Sequence, residues 1–244
     1  MKTKQDSFFS SGLGLAFLAG IGLMVANISP TIVTAYVQNP IFSTRDAGNI
    51  ISINMLGNAL GALITSFYLQ RFNWFRAAVF LLSILIVLDL FSISVTHPFL
   101  LFLIRFIYGM TAGALMGIAY AAIAQTSGPE RIQALSYTMQ LLSGGILIQL
   151  ITPQIESAGV IVVWLPLVVF SVIGLLLSPL LRERTLAKDS FVATKNQSRA
   201  NNLIIGLGLA SLFAFQMGQF AAFAYVIELG TNHNFNIGFT GTSV

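Results

Sequence analysis

Charge is scarce in this chain: Asp, Glu, Lys and Arg make up only 8% of its 244 residues, against about 25% in soluble domains. So few charges cannot cover a water-facing surface, which argues against a soluble globular protein. The hydrophobic share of 56% and the mean hydropathy of +0.84 point instead to a polytopic membrane protein. Cysteine is absent, which excludes disulfides, thiolate metal sites and cysteine nucleophiles together. Histidine is limited to His97 and His233, and the net charge of +4 is too small for a nucleic-acid binder. Walker, H-E-x-x-H and G-x-S-x-G motifs are missing, and so are paired carboxylates within the apolar stretches. Nothing therefore supports an enzyme, and no cofactor or metal is expected. Every lysine lies outside the apolar stretches, which disfavours a retinal Schiff base.

What is present is a series of long apolar runs. A bilayer core takes about 20 apolar residues per helix. Seven runs qualify: residues 12–37, 48–69, 77–95, 99–124, 134–152, 160–181 and 203–227. The expected fold is all-α, a polytopic membrane helix bundle of about seven transmembrane helices. The first run is too long for a signal-peptide core and is followed by further spans, so it reads as a retained helix. Connections carry turn chemistry: Ser43 to Asp46 has capping-box spacing, Thr96-His97-Pro98 turns, and so does Ser127-Gly128-Pro129. Only residues 182–202 make a long, polar connection, with five bases and two acids.

The bases sort by side. With the N-terminus cytoplasmic, ten fall inside: Lys2, Lys4, Arg71, Arg76, Arg131, Arg182, Arg184, Lys188, Lys195 and Arg199. Only Arg45 falls outside, and Arg105 lies within a span. That asymmetry satisfies the positive-inside rule and predicts a multi-pass protein of the cytoplasmic (inner) membrane with its N-terminus in the cytoplasm.

Arg105, Gly109, Gly113 and Gly117 recur every four residues and so share one face of the fourth helix. The glycines read as a packing seam of the small-xxx-small kind. Arg105 is a functional candidate, because a charge within a span costs at least ~2.5 kcal/mol. Asp89 is the other charge well inside a span. Counted at 1.5 Å per residue, both lie roughly 9 Å below the outer boundary. An ion pair joining two helices is one reading; an outward-reaching Asp89 with Arg105 facing a water-filled cavity is the other. Asn27 precedes Ser29-Pro30-Thr31, where proline kinks the helix. Asn54, Asn58, Gly61 and Thr65 form one stripe of the second helix. Ser136 and Gln140 on the fifth helix, and Gln216 and Gln219 on the seventh, add neutral polar groups. Asn27, Gln140, Gln216 and Gln219 join Arg105 and Asp89 as candidates for solute contact or coupling.

These residues resemble the major facilitator superfamily. Arg105-Phe106-x-x-Gly109-x-x-x-Gly113 is similar to that family's fourth-helix motif, and Pro129-Glu130-Arg131-x-x-Ala134 to its P-E-x-R-x-x-A stretch. Gln70-Arg71-Phe72-Asn73-Trp74-Phe75-Arg76 resembles a degraded D-R-x-G-R-R loop, keeping Arg71 and Arg76 but with Gln70 for the acid and Asn73 for the glycine. The glycine-proline motif of the drug/proton antiporters is absent, since Ser143-Gly144-Gly145 has no adjacent proline.

The resemblance implies a secondary transporter, a permease for a small organic solute working by alternating access, with proton coupling carried by the family and a coupling arginine at Arg105. It also implies two six-helix halves. The expected organisation is an N-terminal six-helix half (1–181), a cytoplasmic linker (182–202) and a seventh helix opening an incomplete second half (203–244). Gly12-Leu-Gly-Leu-Ala16 echoes as Gly206-Leu-Gly-Leu-Ala210, in keeping with internal repetition. The chain is expected to be an apparently truncated transporter; the alternative is a non-transporting membrane fragment or interaction subunit. Lipid bilayer and small solute are the expected partners, with protons implied by the resemblance and no nucleic acid.

Overall fold

The computed structural model describes residues 4–71, 73–182 and 223–232, and positions 207, 211, 214 and 218 singly. Every regular element among them is helical. Helices run α1 Lys4–Ile21, α2 Met24–Asn27, α3 Ser29–Val37, α4 Thr44–Tyr68, α5 Trp74–Ser94, α6 Pro98–Ala124, α7 Pro129–Ile151, α8 Ile155–Ala158, α9 Ile161–Leu177 and α10 Val226–Asn232. Short 3-10 turns at Thr152–Gln154 and Ser178–Leu181 follow α7 and α9. Five stretches are long and apolar enough to cross a membrane: Thr44–Tyr68, Trp74–Ser94, Pro98–Ala124, Pro129–Ala158 and Ile161–Leu181. They correspond to the second to sixth runs of the sequence. Their outward faces carry large apolar side chains such as Phe67, Phe80, Phe99, Leu141 and Leu176, as a lipid solvent permits. The linker expected beyond Arg182 and most of the seventh run, with Gln216 and Gln219, lie outside the described residues.

The first run differs from the single kinked helix expected for it. It is cut into α1, α2 and α3, with breaks at Gly22-Leu23 and at Ile28. Pro30 lies in the first turn of α3, where its missing N–H costs no helical hydrogen bond. The first break has a different cause. A Cβ on Gly22 would stand 2.8 Å from Met116 Cβ and 2.9 Å from the Ala112 carbonyl oxygen, so helix one is pressed against α6 there. The carbonyl freed at Gly22 is taken by Asn58 Nδ2 at 2.6 Å.

Helices α4 and α6 make the closest pair in the bundle. A Cβ on Gly57 would strike the Phe106 carbonyl, and one on Gly61 the Met110 carbonyl. Reciprocally, Gly109 and Gly113 meet the carbonyls of Asn54 and Asn58. Residue numbers rise together on both sides, so the two helices run parallel, backbone against backbone. A Cβ on Gly117 would meet Thr65 Cγ2 at 3.4 Å and the Ala62 carbonyl oxygen only at 3.8 Å. The seam is therefore tight at Gly109 and Gly113 and slackens one turn later. Asn54, Asn58, Gly61 and Thr65 are all buried on this face of α4.

Helix starts follow local chemistry. Ser43 and Asp46 form a full capping box at α4, with Asp46 N–H donating to Ser43 Oγ at 3.1 Å and Ser43 N–H to Asp46 Oδ2 at 3.0 Å. His97 and Pro98 open α6, and Gly128 and Pro129 open α7. At the other end of the described chain, α10 packs against α3. Tyr225, just before α10, fills the space that a side chain at Gly48 would need.

Candidate functional site

Two polar clusters lie within the spans. The first is built where α5, α6, α9 and α3 meet. Asp89 and Ser92 are one helical turn apart on α5, and both are buried. Arg105 comes from the second turn of α6 and is fully buried with Asp89. Its Nη1 donates to Asp89 Oδ1 at 3.0 Å, its Nη2 to the Leu88 carbonyl at 3.0 Å, and Nη2 also donates to Ser92 Oγ. The guanidinium carbon stands 4.0 Å from the Trp164 ring centre and 4.6 Å from that of Tyr108. Trp164 Nε1 donates to Tyr36 Oη at 3.0 Å, which joins α3 to the same cluster. Among the described residues, Asp89 Oδ2 and Arg105 Nε make no hydrogen bond of normal geometry, and the Tyr108 hydroxyl stands beside the Asp89 carboxylate.

Burying two charges costs several kcal/mol per ion, offset here by their mutual attraction and added hydrogen bonds. Two aromatic faces supplement these by cation–π attraction. Of the two arrangements left open by the sequence, the structure has the paired one: Asp89 does not reach outward, and Arg105 does not face an open cavity.

The second cluster lies where helix one crosses α7. Asn27 Nδ2 approaches the Gln140 carbonyl at 3.4 Å. Gln140 Nε2 donates to Ser136 Oγ at 3.0 Å, and Ser136 Oγ donates to the Ala16 carbonyl at 2.9 Å. Gly20 and Gly144 allow this approach: a Cβ on Gly20 would stand 3.1 Å from Gln140 Cγ, and one on Gly144 2.9 Å from Asn27 Cβ. Tyr120 of α6 brings its hydroxyl beside Gln140, Tyr137 and Ser136. A cavity of about 210 Å³ opens beside the cluster, lined by Phe17, Gly20, Met24, Met139, Gln140 and Phe170 among others.

The sequence candidates thus fall into groups. Asp89 is brought to Arg105, and Asn27 to Gln140. Gly109 and Gly113 pack against α4, with Gly117 in looser contact. Arg71 and Arg76 stand at the α4–α5 turn, where Asn73 Oδ1 accepts from the Arg76 N–H at 3.0 Å and caps α5. Gln216 and Gln219 are outside the described residues. Sequence reasoning did not place Trp164, Tyr36 or Tyr108 at a site. Tyr108 follows Arg105 by three residues and Ser92 follows Asp89 by three, a spacing that puts each on its partner's face. Trp164 and Tyr36 are distant in sequence and carry no comparable signal.

A family model described as "Uncharacterised MFS-type transporter YbfB" matches residues 17–231. Comparison with curated proteins gave no match.

Proposed function

The chain belongs to this family of MFS-type transporters, and on that premise we propose that it carries a small organic solute by alternating access, with the Asp89–Arg105 pair as its proton-coupling element. A multi-pass transporter of this kind has the bilayer and a solute as its partners. The proposed setting is the cytoplasmic membrane, with the N-terminus and residues 182–202 on the cytoplasmic side. Residues 1–181 form the proposed N-terminal half, 182–202 its linker and 203–244 the start of a second half. Asn27 and Gln140 are the proposed solute contacts from this half, joined by Gln216 and Gln219 from the seventh helix.

One observation supports the coupling role above the others: a fully buried ion pair whose second carboxylate oxygen makes no hydrogen bond of normal geometry, with the Tyr108 hydroxyl beside it. A proton taken up at Asp89 Oδ2 would cancel the charge that Arg105 faces. Arg105 would keep the Leu88 carbonyl and Ser92, so the α5–α6 joint would loosen without falling apart.

A second reading treats the pair as a structural pin. It is favoured by the enclosure of the guanidinium between the Trp164 and Tyr108 rings.

Substitution separates the two. Arg105→Ala or Asp89→Ala alone strands a buried charge and should cost about 3–5 kcal/mol of stability. The double variant should recover most of that in folded yield. Under the coupling reading, the folded double variant still fails in solute uptake with and without a pH gradient. Normal uptake by the double variant would overturn the coupling role and leave the pin.

A further inference from the structure

We propose that the arginine corner formed by the α4–α5 turn and the end of α9 binds the phosphate of an anionic phospholipid headgroup. Trp74 is buried, and its Nε1 donates to the Leu69 carbonyl at 2.9 Å, which draws the turn shut. The 3-10 turn Ser178–Leu181 packs on α5. Three arginines stand at this corner, two of them held over rings. Arg71 lies with Cζ 5.4 Å from the Tyr68 ring centre, and Arg182 with Cζ 4.8 Å from the Phe75 ring centre. Arg76 is the next residue after Phe75 and is exposed.

None of the three forms an ion pair or a side-chain hydrogen bond with a described residue, the one such ion pair being Asp89–Arg105. A ring beneath a guanidinium attracts its charge and leaves its N–H donors to be satisfied elsewhere. Position 70, the one place in this turn where the resemblance leads one to look for an acid, holds the neutral Gln70. Arginine donors of this kind fit phosphate oxygens bidentately.

The surroundings select a lipid over a soluble phosphate. α4, α5 and α9 are all candidate spans, so their shared end stands at the membrane surface. Away from the arginines, the outward faces run apolar: Phe67 is 74% exposed, Phe80 66% and Leu176 75%. A headgroup held by the arginines would lay its acyl chains along these side chains.

The test titrates the purified full chain in detergent with phosphatidylglycerol or phosphatidylcholine and counts retained lipids by native mass spectrometry. Phosphatidylglycerol should be retained roughly tenfold better or more, since each basic residue near a membrane surface contributes about fivefold to anionic-lipid attraction. Arg76→Gln with Arg182→Gln should remove that preference, and the paired lysine variants should keep part of it. Arg131→Gln, at the start of α7, should leave the preference in place. Thermal melting in phosphatidylcholine identifies any variant that fails to fold, in which case the lysine pair carries the comparison. Equal retention of the two lipids would overturn the proposal. So would an equal loss in Arg131→Gln, which would mean diffuse charge attraction. Displacement by millimolar glycerol phosphate would overturn the lipid as occupant.

Discussion

Trp164 donates its indole N–H to Tyr36, and both side chains are buried. Tyr36→Phe would keep the ring but leave that N–H without an acceptor, at a cost of about 1–3 kcal/mol. The expected outcome is a lower melting temperature for Tyr36→Phe, with the double variant carrying Trp164→Phe as well losing less than the sum of the two single losses. A simple sum of two losses in the double variant would show that the bond contributes little. The contrast with Arg105 shows what single residues reveal in a sequence. A charge inside an apolar run is visible because it is expensive, and depth counting alone brought it level with Asp89. An aromatic residue in an apolar run is unremarkable there. Its role comes from a partner 128 positions away, a distance that no helical period encodes.

At the scale of elements, the α4–α6 seam depends on the absence of side chains. Gly113→Ala would drive a Cβ into the Asn58 carbonyl, and the neighbouring atom is backbone rather than a movable side chain. Overpacking of this kind costs typically about 1–3 kcal/mol. Gly117→Ala meets nothing nearer than Thr65 Cγ2 at 3.4 Å and gains helix propensity of up to ~1 kcal/mol. Thermal unfolding in detergent should therefore show Gly113→Ala destabilised and Gly117→Ala unchanged or improved. Spacing four residues apart made this face legible on α6. Its partner face was legible too, as the stripe of Asn54, Asn58 and Gly61, but which helices pair was not. The breaks in helix one were only half legible. Pro30 announced an interruption, whereas the interruption at Gly22 arises from crowding by Met116 and Ala112 on a distant helix.

At the scale of the whole molecule, the alternation of bases gives a direct test of orientation. The chain has no cysteine, so single cysteines can be placed without background. Asn39→Cys, between α3 and α4, and Gln70→Cys, between α4 and α5, should react with a membrane-impermeant maleimide from opposite sides, with Gln70→Cys reached only from the cytoplasm. Labelling of both from one side would mean that α4 does not cross. Helix content and the positions of the second to sixth spans were legible because apolar length is dictated by the bilayer. The polar clusters were legible only as lists of residues, since their assembly depends on which helices touch.

The closed Asp89–Arg105 pair also bears on how these helices respond to voltage. Moving one elementary charge through a membrane potential exchanges about 2.3 kcal/mol per 100 mV. The pair is neutral as a unit, and the other charged side chains described between residues 12 and 182 stand at or near helix ends. Reorienting these helices therefore performs little electrical work of its own. The electrogenic part of a transport cycle falls to the cargo or, under the proposed coupling role, to a proton on Asp89 that would turn a neutral joint into a full positive charge carried across the field.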